Sequence, residues 1–219
     1  MKIKLLSAAV GSASAIVISG AQAGMYINDL GTGETLLFPF YSAENGNNTL
    51  VNVANASDGH KAVKVRIIEA QNSQEVLDYN LYLSPEDHFS FVITATEEGG
   101  AKMMTADKSC TSPAIPEDGE AFRTVKFDSD ENNDVSRTKV GYLEIIEMGQ
   151  LDPNADPVID EAGLANGAAI NAAAAITHDA NGVPADCTII NKAWSSDGVW
   201  TTESKTTNLT GDSEFLADW

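Results

Sequence analysis

The chain has 219 residues, of which 32 are Asp or Glu and 13 are Lys or Arg, so its formal net charge is −19 at neutral pH. This acidic excess argues against a nucleic-acid partner, whose phosphates attract clusters of Lys and Arg, and against anionic lipid surfaces. The excess is uneven, because residues 24–109 carry 12 acids against 5 bases whereas residues 110–219 carry 20 against 6.

The first 23 residues have the three-part layout of a secretory signal peptide. Lys2 and Lys4 precede an apolar run from Leu5 to Ile18, and small residues end in Ala21-Gln22-Ala23. A membrane anchor is the alternative, but the run is shorter than the roughly 20 apolar residues that a spanning helix needs. The pattern therefore predicts cleavage before Gly24, export, and no transmembrane segment in the mature chain, whose charge would be −21 once two lysines are removed.

Residues 35–95 alternate apolar and polar side chains, as strands with one buried and one wet face do. Turn-rich segments separate the runs and predict five antiparallel strands, at about 35–41, 48–55, 61–69, 75–83 and 88–95. Pro39 indicates that the first is an edge strand or carries a bulge. Ile68 and Tyr82 fall on the polar faces, and we expect them to be scattered exposed residues; the alternatives are a contact patch or the underside of an inserted helix.

The next pattern is an acidic segment, residues 128–134, between AFRTVKF and TKVGYLEIIEM. Both flanking patterns predict strands, the second with Leu143 and Ile145 facing inward. The acidic segment is therefore predicted to be an exposed hairpin tip.

The acidic segment also has a spacing typical of calcium loops. Four oxygen-bearing residues stand at positions 1, 3, 5 and 7 of such a loop: Asp128, Asp130, Asn132 and Asp134. Asn133 replaces the usual Gly, and Lys139 replaces the bidentate Glu, so any calcium would bind weakly, on the order of millimolar. The competing interpretation is a solvated turn whose charges repel one another.

The C-terminal third is irregular. An Ala-rich stretch predicts an inserted helix over about 160–176, with a flexible loop as the alternative. CTIINKAW and GVWTTES are predicted strands. We expect a single domain over 24–219. Because Trp219 follows no recognisable close of a domain, the alternative is a chain that is truncated at its C-terminal end.

Cys110 and Cys187 are the only two cysteines. Export to an oxidising compartment predicts a structural disulfide between them. No C-x-x-C pattern supports a redox role.

Motifs for catalysis are absent from the sequence. His60, His88 and His178 are separated and lack a second ligand at zinc spacing. Glu144 and Glu147 are three apart on a predicted strand, so they would point to opposite faces and could not flank one glycosidic bond. No Ser stands in a G-x-S-x-G elbow. We therefore expect no enzyme activity and no cofactor beyond weak calcium; a hydrolase with a dispersed site is the alternative.

Three stretches carry a resemblance: TLLFPFYSAENGNNTLVNVANAS, KAVKVRIIEAQNSQEVLDYNLYLSPEDHFSFVIT and GYLEIIEMG. Across about residues 31–150 the chain resembles uncharacterised exported proteins of Gram-negative, often marine, bacteria. The resemblance implies a Gram-negative envelope location and an immunoglobulin-like β-sandwich. It implies no activity and no site residue.

These observations predict a mainly β protein, an antiparallel β-sandwich with an inserted Ala-rich helix, located in the periplasm or on the cell surface. The expected function is non-enzymatic: structure, adhesion or assembly with a protein or glycan partner at the cell surface. A calcium-dependent module that binds glycan is the alternative.

Overall fold

The structure, a computed structural model, describes Asn28 and residues 32–127, 131–154, 171–196, 198–202 and 209–210. The predicted signal peptide lies outside the described residues.

The described residues form a mainly β protein with two antiparallel sheets. The strands are β1 (Thr35–Ser42), β2 (Thr49–Ala54), β3 (His60–Glu69), β4 (Glu75–Leu83), β5 (His88–Ala95), β6 (Ala101–Met104), β7 (Thr111–Ser112), β8 (Glu120–Ala121), β9 (Val140–Leu151) and β10 (Leu209–Thr210). One sheet has the order β1-β9-β3-β4-β7, with β10 also paired to β9. The other sheet has the order β2-β5-β6-β8. The five strands predicted before residue 96 are confirmed, with ends within one residue.

The main core lies between the two sheets and follows the alternation of the sequence. The alternate residues of β4 are buried against those of β5: Leu77, Tyr79, Leu81, Leu83, Phe89, Phe91 and Ile93. Leu143 and Ile145 of β9 join them, as predicted. Period-two hydrophobicity thus places the core correctly.

The first strand is an edge strand with an irregularity, as Pro39 predicts. β1 pairs only with β9 in its sheet, and its register shifts between Phe38 and Tyr41. The shift lies where Pro39 has no N–H to donate.

The acidic segment is not a hairpin tip, and that prediction is wrong. β8 belongs to the four-stranded sheet and β9 to the six-stranded sheet, so the chain between Ala121 and Val140 does not close a hairpin. Most of AFRTVKF is not strand either: β8 ends at Ala121, and a 3-10 helix covers Val125–Phe127. A second 3-10 helix, Val135–Lys139, leads into β9.

The described C-terminal elements are mainly helical. They are α1 (Ala172–Ile176), α2 (Cys187–Ala193) and α3 (Val199–Thr202). α1 agrees with the end of the predicted helix, and residues 160–170 lie outside the described residues. The strands predicted for CTIINKAW and GVWTTES are wrong. In α2 the buried Ile189, Ile190 and Ala193 lie on one helical face, and the Asp186 side chain caps the helix by accepting from the Thr188 N–H.

These helices cover part of the outer face of the six-stranded sheet. A second buried cluster joins Ala62, Tyr82 and Met148 of that sheet to Ile176, Ile190 and Trp200 of the helices. Tyr82 stacks on Trp200 with ring centroids 6.0 Å apart and accepts a hydrogen bond from Trp194 Nε1. The expectation that Tyr82 and Ile68 are exposed is therefore wrong: both are buried, and Tyr82 lies under the helical layer.

The predicted disulfide is present. Cys110 and Cys187 are bonded at an S–S distance of 2.02 Å across a separation of 77 residues. Cys110 precedes β7 and Cys187 begins α2, so the bond ties the helical layer to the sheet beneath it. Among the described residues, no helix is long and apolar enough to cross a membrane.

Candidate interaction surface

The acidic segment is structured where it is described, and its polar atoms hold the backbone. Asn132 Oδ1 accepts from the Asp134 N–H at 3.1 Å, and Asp134 Oδ1 accepts from the Ser136 N–H at 2.8 Å. The hydrogen bonds from Ser136 lower the pKa of Asp134 below its ordinary value. Asp134 is thus the N-cap of the second 3-10 helix. Two of the four predicted calcium ligands therefore already have local roles.

A buried ion pair anchors the same segment. Arg137 donates to both carboxylate oxygens of Glu69, at 3.0 Å and 3.4 Å, and both side chains are at most 3 % exposed. The guanidinium carbon lies 4.0 Å from the centroid of the Phe127 ring. Burial alone would raise the pKa of Glu69, but Arg137 and the N–H groups of Gln74, Gln71 and Asn72 outweigh it, so the pKa lies below its ordinary value. These contacts give the described part of the acidic segment a structural role and do not require a bound ligand.

The calcium hypothesis stays a prediction. Asp128 and Asp130 lie outside the described residues. In the part of the chain that the structure does describe, no three His, Cys, Asp or Glu side chains gather closely enough to hold a metal ion.

The structure brings His178 into contact with Ser84 and Asp87, which lie more than 90 residues earlier in the chain. His178 Nδ1 lies 2.9 Å from Ser84 Oγ and 3.2 Å from Asp87 Oδ2. In a catalytic triad the two ring nitrogens serve the two partners separately, whereas here one nitrogen faces both. Ser84 is also buried, so its hydroxyl cannot meet an external substrate. This cluster fastens the chain after α1 to the sandwich and does not favour hydrolysis.

Glu144 and Glu147 lie on opposite faces of β9, as the sequence predicts. Glu144 pairs with Arg66 at 2.8 Å on the outer face of the six-stranded sheet. Glu147 pairs with Lys61 and lines a cleft between the sheets. The two carboxylates cannot flank one bond.

This half-open cleft could admit a small molecule. Its volume is about 340 Å³, and Leu36, Val53, Leu83 and Ile145 line it around the Lys61–Glu147 pair. That volume is at the low end for ligand sites. Glu34 also lines the cleft, so its charged residues are the Lys61–Glu147 ion pair and one further carboxylate.

The edges of the two sheets differ in how they are protected. Exposed edges invite pairing with another chain, and proteins block them with proline, bulges, charges or short strands. β1 has Pro39 and a bulge, and β7 and β8 are two residues long. β2 has none of these devices: TLVNVA is six residues without proline or charge. Among the described strands, only β5 pairs with it.

The face that β2 borders lacks acidic residues. The central inward residues of the four-stranded sheet are buried: Val51, Val53, Phe89, Phe91, Ile93, Ala101 and Met103. The outward residues of β2 and β5 are Leu50, Asn52, Ala54, Ser90, Val92 and Thr94. The other outward positions are His88, Lys102, Met104 and Ala121. We call this set the acid-free face. In a chain with 32 acids, such a face differs sharply from the average surface.

An apolar row crosses the acid-free face and ends at the open edge. Leu50 pairs with Val92, and Val92 pairs with Met104, in direct register. Val92 and Met104 are half-buried, whereas Leu50 is 68 % exposed. Leu37 and Phe40 of the neighbouring β1 are also exposed, at 67 % and 64 %. Three of the five large exposed hydrophobic residues among those described therefore lie on β1 and β2.

The sequence carries a compositional signal for this surface, which the alternation of apolar and polar residues does not reveal. Residues 35–57 hold a single charged residue, Glu44, although 21 % of the chain is charged. The comparisons give no further guidance, because no family model, curated protein or solved structure matches this chain.

Proposed function

We propose that this protein is an exported, non-enzymatic component of the cell envelope or cell surface that serves structure, adhesion or assembly. We propose further that it binds a protein partner through β2 and the acid-free face. The observation that carries the proposal is the unprotected, uncharged edge strand β2 in an otherwise strongly acidic protein.

The mode of binding follows from the chemistry of a strand edge. A partner strand that adds to β2 would gain main-chain hydrogen bonds, and side chains facing Leu50 would gain apolar contact. The high negative charge elsewhere on the protein disfavours nucleic acid and anionic lipid as partners. The acid-free face is suited to a protein segment without acidic residues. A glycan partner has less support, since no described aromatic side chain lies exposed on the acid-free face.

The location and the detailed fold belong to the same proposal. Export rests on the signal-peptide pattern of residues 1–23 and is supported by the disulfide, which persists in oxidising compartments. An immunoglobulin-like sandwich is consistent with two antiparallel sheets packed over one core.

The test is fractionation of cells that produce the full chain. We expect the wild-type protein to be retained with the envelope in a complex larger than the monomer. Leu50→Lys puts a charge on the open edge and should release the protein as a monomer. Val125→Lys is the matched control, because Val125 is 69 % exposed and lies next to Lys126, which pairs with Glu75 of the six-stranded sheet. Equal retention of both folded variants would contradict the proposal.

A further inference from the structure

We propose that the partner at β2 is a second copy of this chain, and that two β2 strands pair antiparallel about a twofold axis. The inference rests on the proposed function, since it takes β2 as the interaction surface. It joins two four-stranded sheets into one continuous sheet of eight strands.

The geometry of β2 permits this pairing. Antiparallel self-pairing about an axis perpendicular to the sheet keeps each residue on its own side. Val51 and Val53 would stay inward in both copies, and Leu50, Asn52 and Ala54 would stay outward. With Asn52 opposite the Asn52 of the second copy, each Leu50 faces an Ala54. A large side chain then lies beside a small one.

This register also avoids the connection between β1 and β2. Ser42 and Thr49 fix that connection by exchanging two hydrogen bonds, at 2.9 Å and 3.0 Å. Pairing centred on Asn52 uses residues 50–54, so the two turns lie beyond the ends of the paired segment.

Charge identifies a second copy as a suitable occupant. Two copies of a chain with net charge −19 repel each other wherever acidic surfaces meet. The acid-free face carries no acid, and residues 35–57 carry only Glu44, with Glu34 and Asp58 just outside that range. The apolar row from Met104 through Val92 to Leu50 would extend onto Ala54 of the second copy, which is paired with His88.

The predicted dimer is modest in strength and strengthened by salt. A paired segment of five residues buries less than a standard protein interface. We therefore expect a concentration-dependent dimer. Salt screens the repulsion between two negatively charged copies, so the dimer should strengthen as salt rises. A complex with a basic partner would weaken instead.

The experiment is sedimentation equilibrium of the mature, oxidised chain from 50 mM to 0.5 M salt. We expect reversible dimerisation that tightens with salt. Leu50→Lys should weaken it at least tenfold, and Val125→Lys, at a residue of matched exposure, should leave it unchanged. A monomer at every salt and protein concentration would overturn the inference.

Cross-linking tests the register independently, because both native cysteines are engaged in the disulfide. Asn52→Cys should give a disulfide-linked dimer under mild oxidation. Thr94→Cys is the control: it lies on the same face but on β5, which is flanked by β2 and β6. A dimer in which Asn52→Cys does not cross-link, or in which Thr94→Cys cross-links equally, would overturn β2 pairing.

The cell fractionation separates the two proposals. If the purified chain is monomeric but envelope retention still depends on Leu50, the second copy is wrong and the β2 interaction surface stands. If retention ignores Leu50 and the chain is also monomeric, both proposals fail.

Discussion

The outward faces of the two sheets differ in what covers them. On the six-stranded sheet, Arg66 bridges Glu75 and Glu144, and disulfide-tied helices lie over Tyr82. On the four-stranded sheet, no described helix lies over the acid-free face, and the apolar row ends at the unpaired edge of β2. The outward face of the six-stranded sheet is thus completed by the protein's own contacts, whereas the acid-free face is suited to contacts with another molecule. Changes to the first should cost folding stability, and changes to the second should cost association.

The largest loss is expected on removal of the disulfide that fastens the helical layer. Replacing Cys110 and Cys187 together by Ser should destabilise the protein by about 4 to 5 kcal/mol, since the bond closes a long loop. A thermal melt under oxidising conditions measures the change, and Trp194 and Trp200 report whether the layer detaches. An unchanged melting curve would show that the bond does not stabilise the fold.

A similar loss is expected at the buried ion pair of the six-stranded sheet. Arg137→Met leaves Glu69 buried without its main partner and should cost about 3 to 5 kcal/mol. Arg66→Met is the control, because Arg66 is 30 % exposed and should cost much less. Denaturant unfolding at neutral pH measures both.

The ion pair also predicts a pH dependence. The pKa of Glu69 is depressed in the fold, so its stabilisation is present above the unfolded pKa, about 4.3, and is lost as pH falls through the folded pKa. In Arg137→Met the pKa of Glu69 should be higher than in the wild type, because burial is then opposed only by the backbone N–H groups, and protonation should relieve part of the penalty. The difference in unfolding free energy between wild type and variant should therefore shrink below pH 5. A constant difference would contradict this account of Glu69.

A smaller contrast is expected between two buried tyrosines of β4. Tyr82→Phe removes the acceptor of the Trp194 N–H under the helical layer and should cost about 1 kcal/mol. Tyr79 faces the core between the sheets, and its hydroxyl has no hydrogen-bond partner among the described atoms. Tyr79→Phe should be neutral or slightly stabilising. Equal losses would show that the helical layer adds nothing at Tyr82.

The smallest effects on stability are expected at the acid-free face and at the acidic segment. Leu50→Lys should change the unfolding free energy of the monomer by less than about 0.5 kcal/mol. Calcium at about 5 mM should not shift the melting temperature at fixed ionic strength, because Asn132 and Asp134 already accept backbone hydrogen bonds. A shift with calcium but not magnesium, abolished by Asp130→Ala, would support the calcium-dependent alternative.

The core between the sheets could be predicted because each strand there carries its own alternation. Tyr82 could not be placed, since its burial depends on helices more than a hundred residues away in sequence. The β-branched run Thr188-Ile189-Ile190 favours a strand locally, but packing of one face against the sheet and the Asp186 cap make it helical. The candidate surface could be predicted only in part. Composition shows that residues 35–57 hold a single charged residue, whereas the unpaired outer edge of β2 depends on sheet order.

Hydrogen exchange of the β2 backbone in the full, oxidised mature chain tests the central claim most directly. We expect the β2 amides that face away from β5 to become protected from exchange as protein concentration rises, while the amides on the free side of β1 do not. Unchanged exchange in β2 at concentrations where the chain associates, or in its envelope-bound form, would contradict the assignment of β2 as the interaction surface.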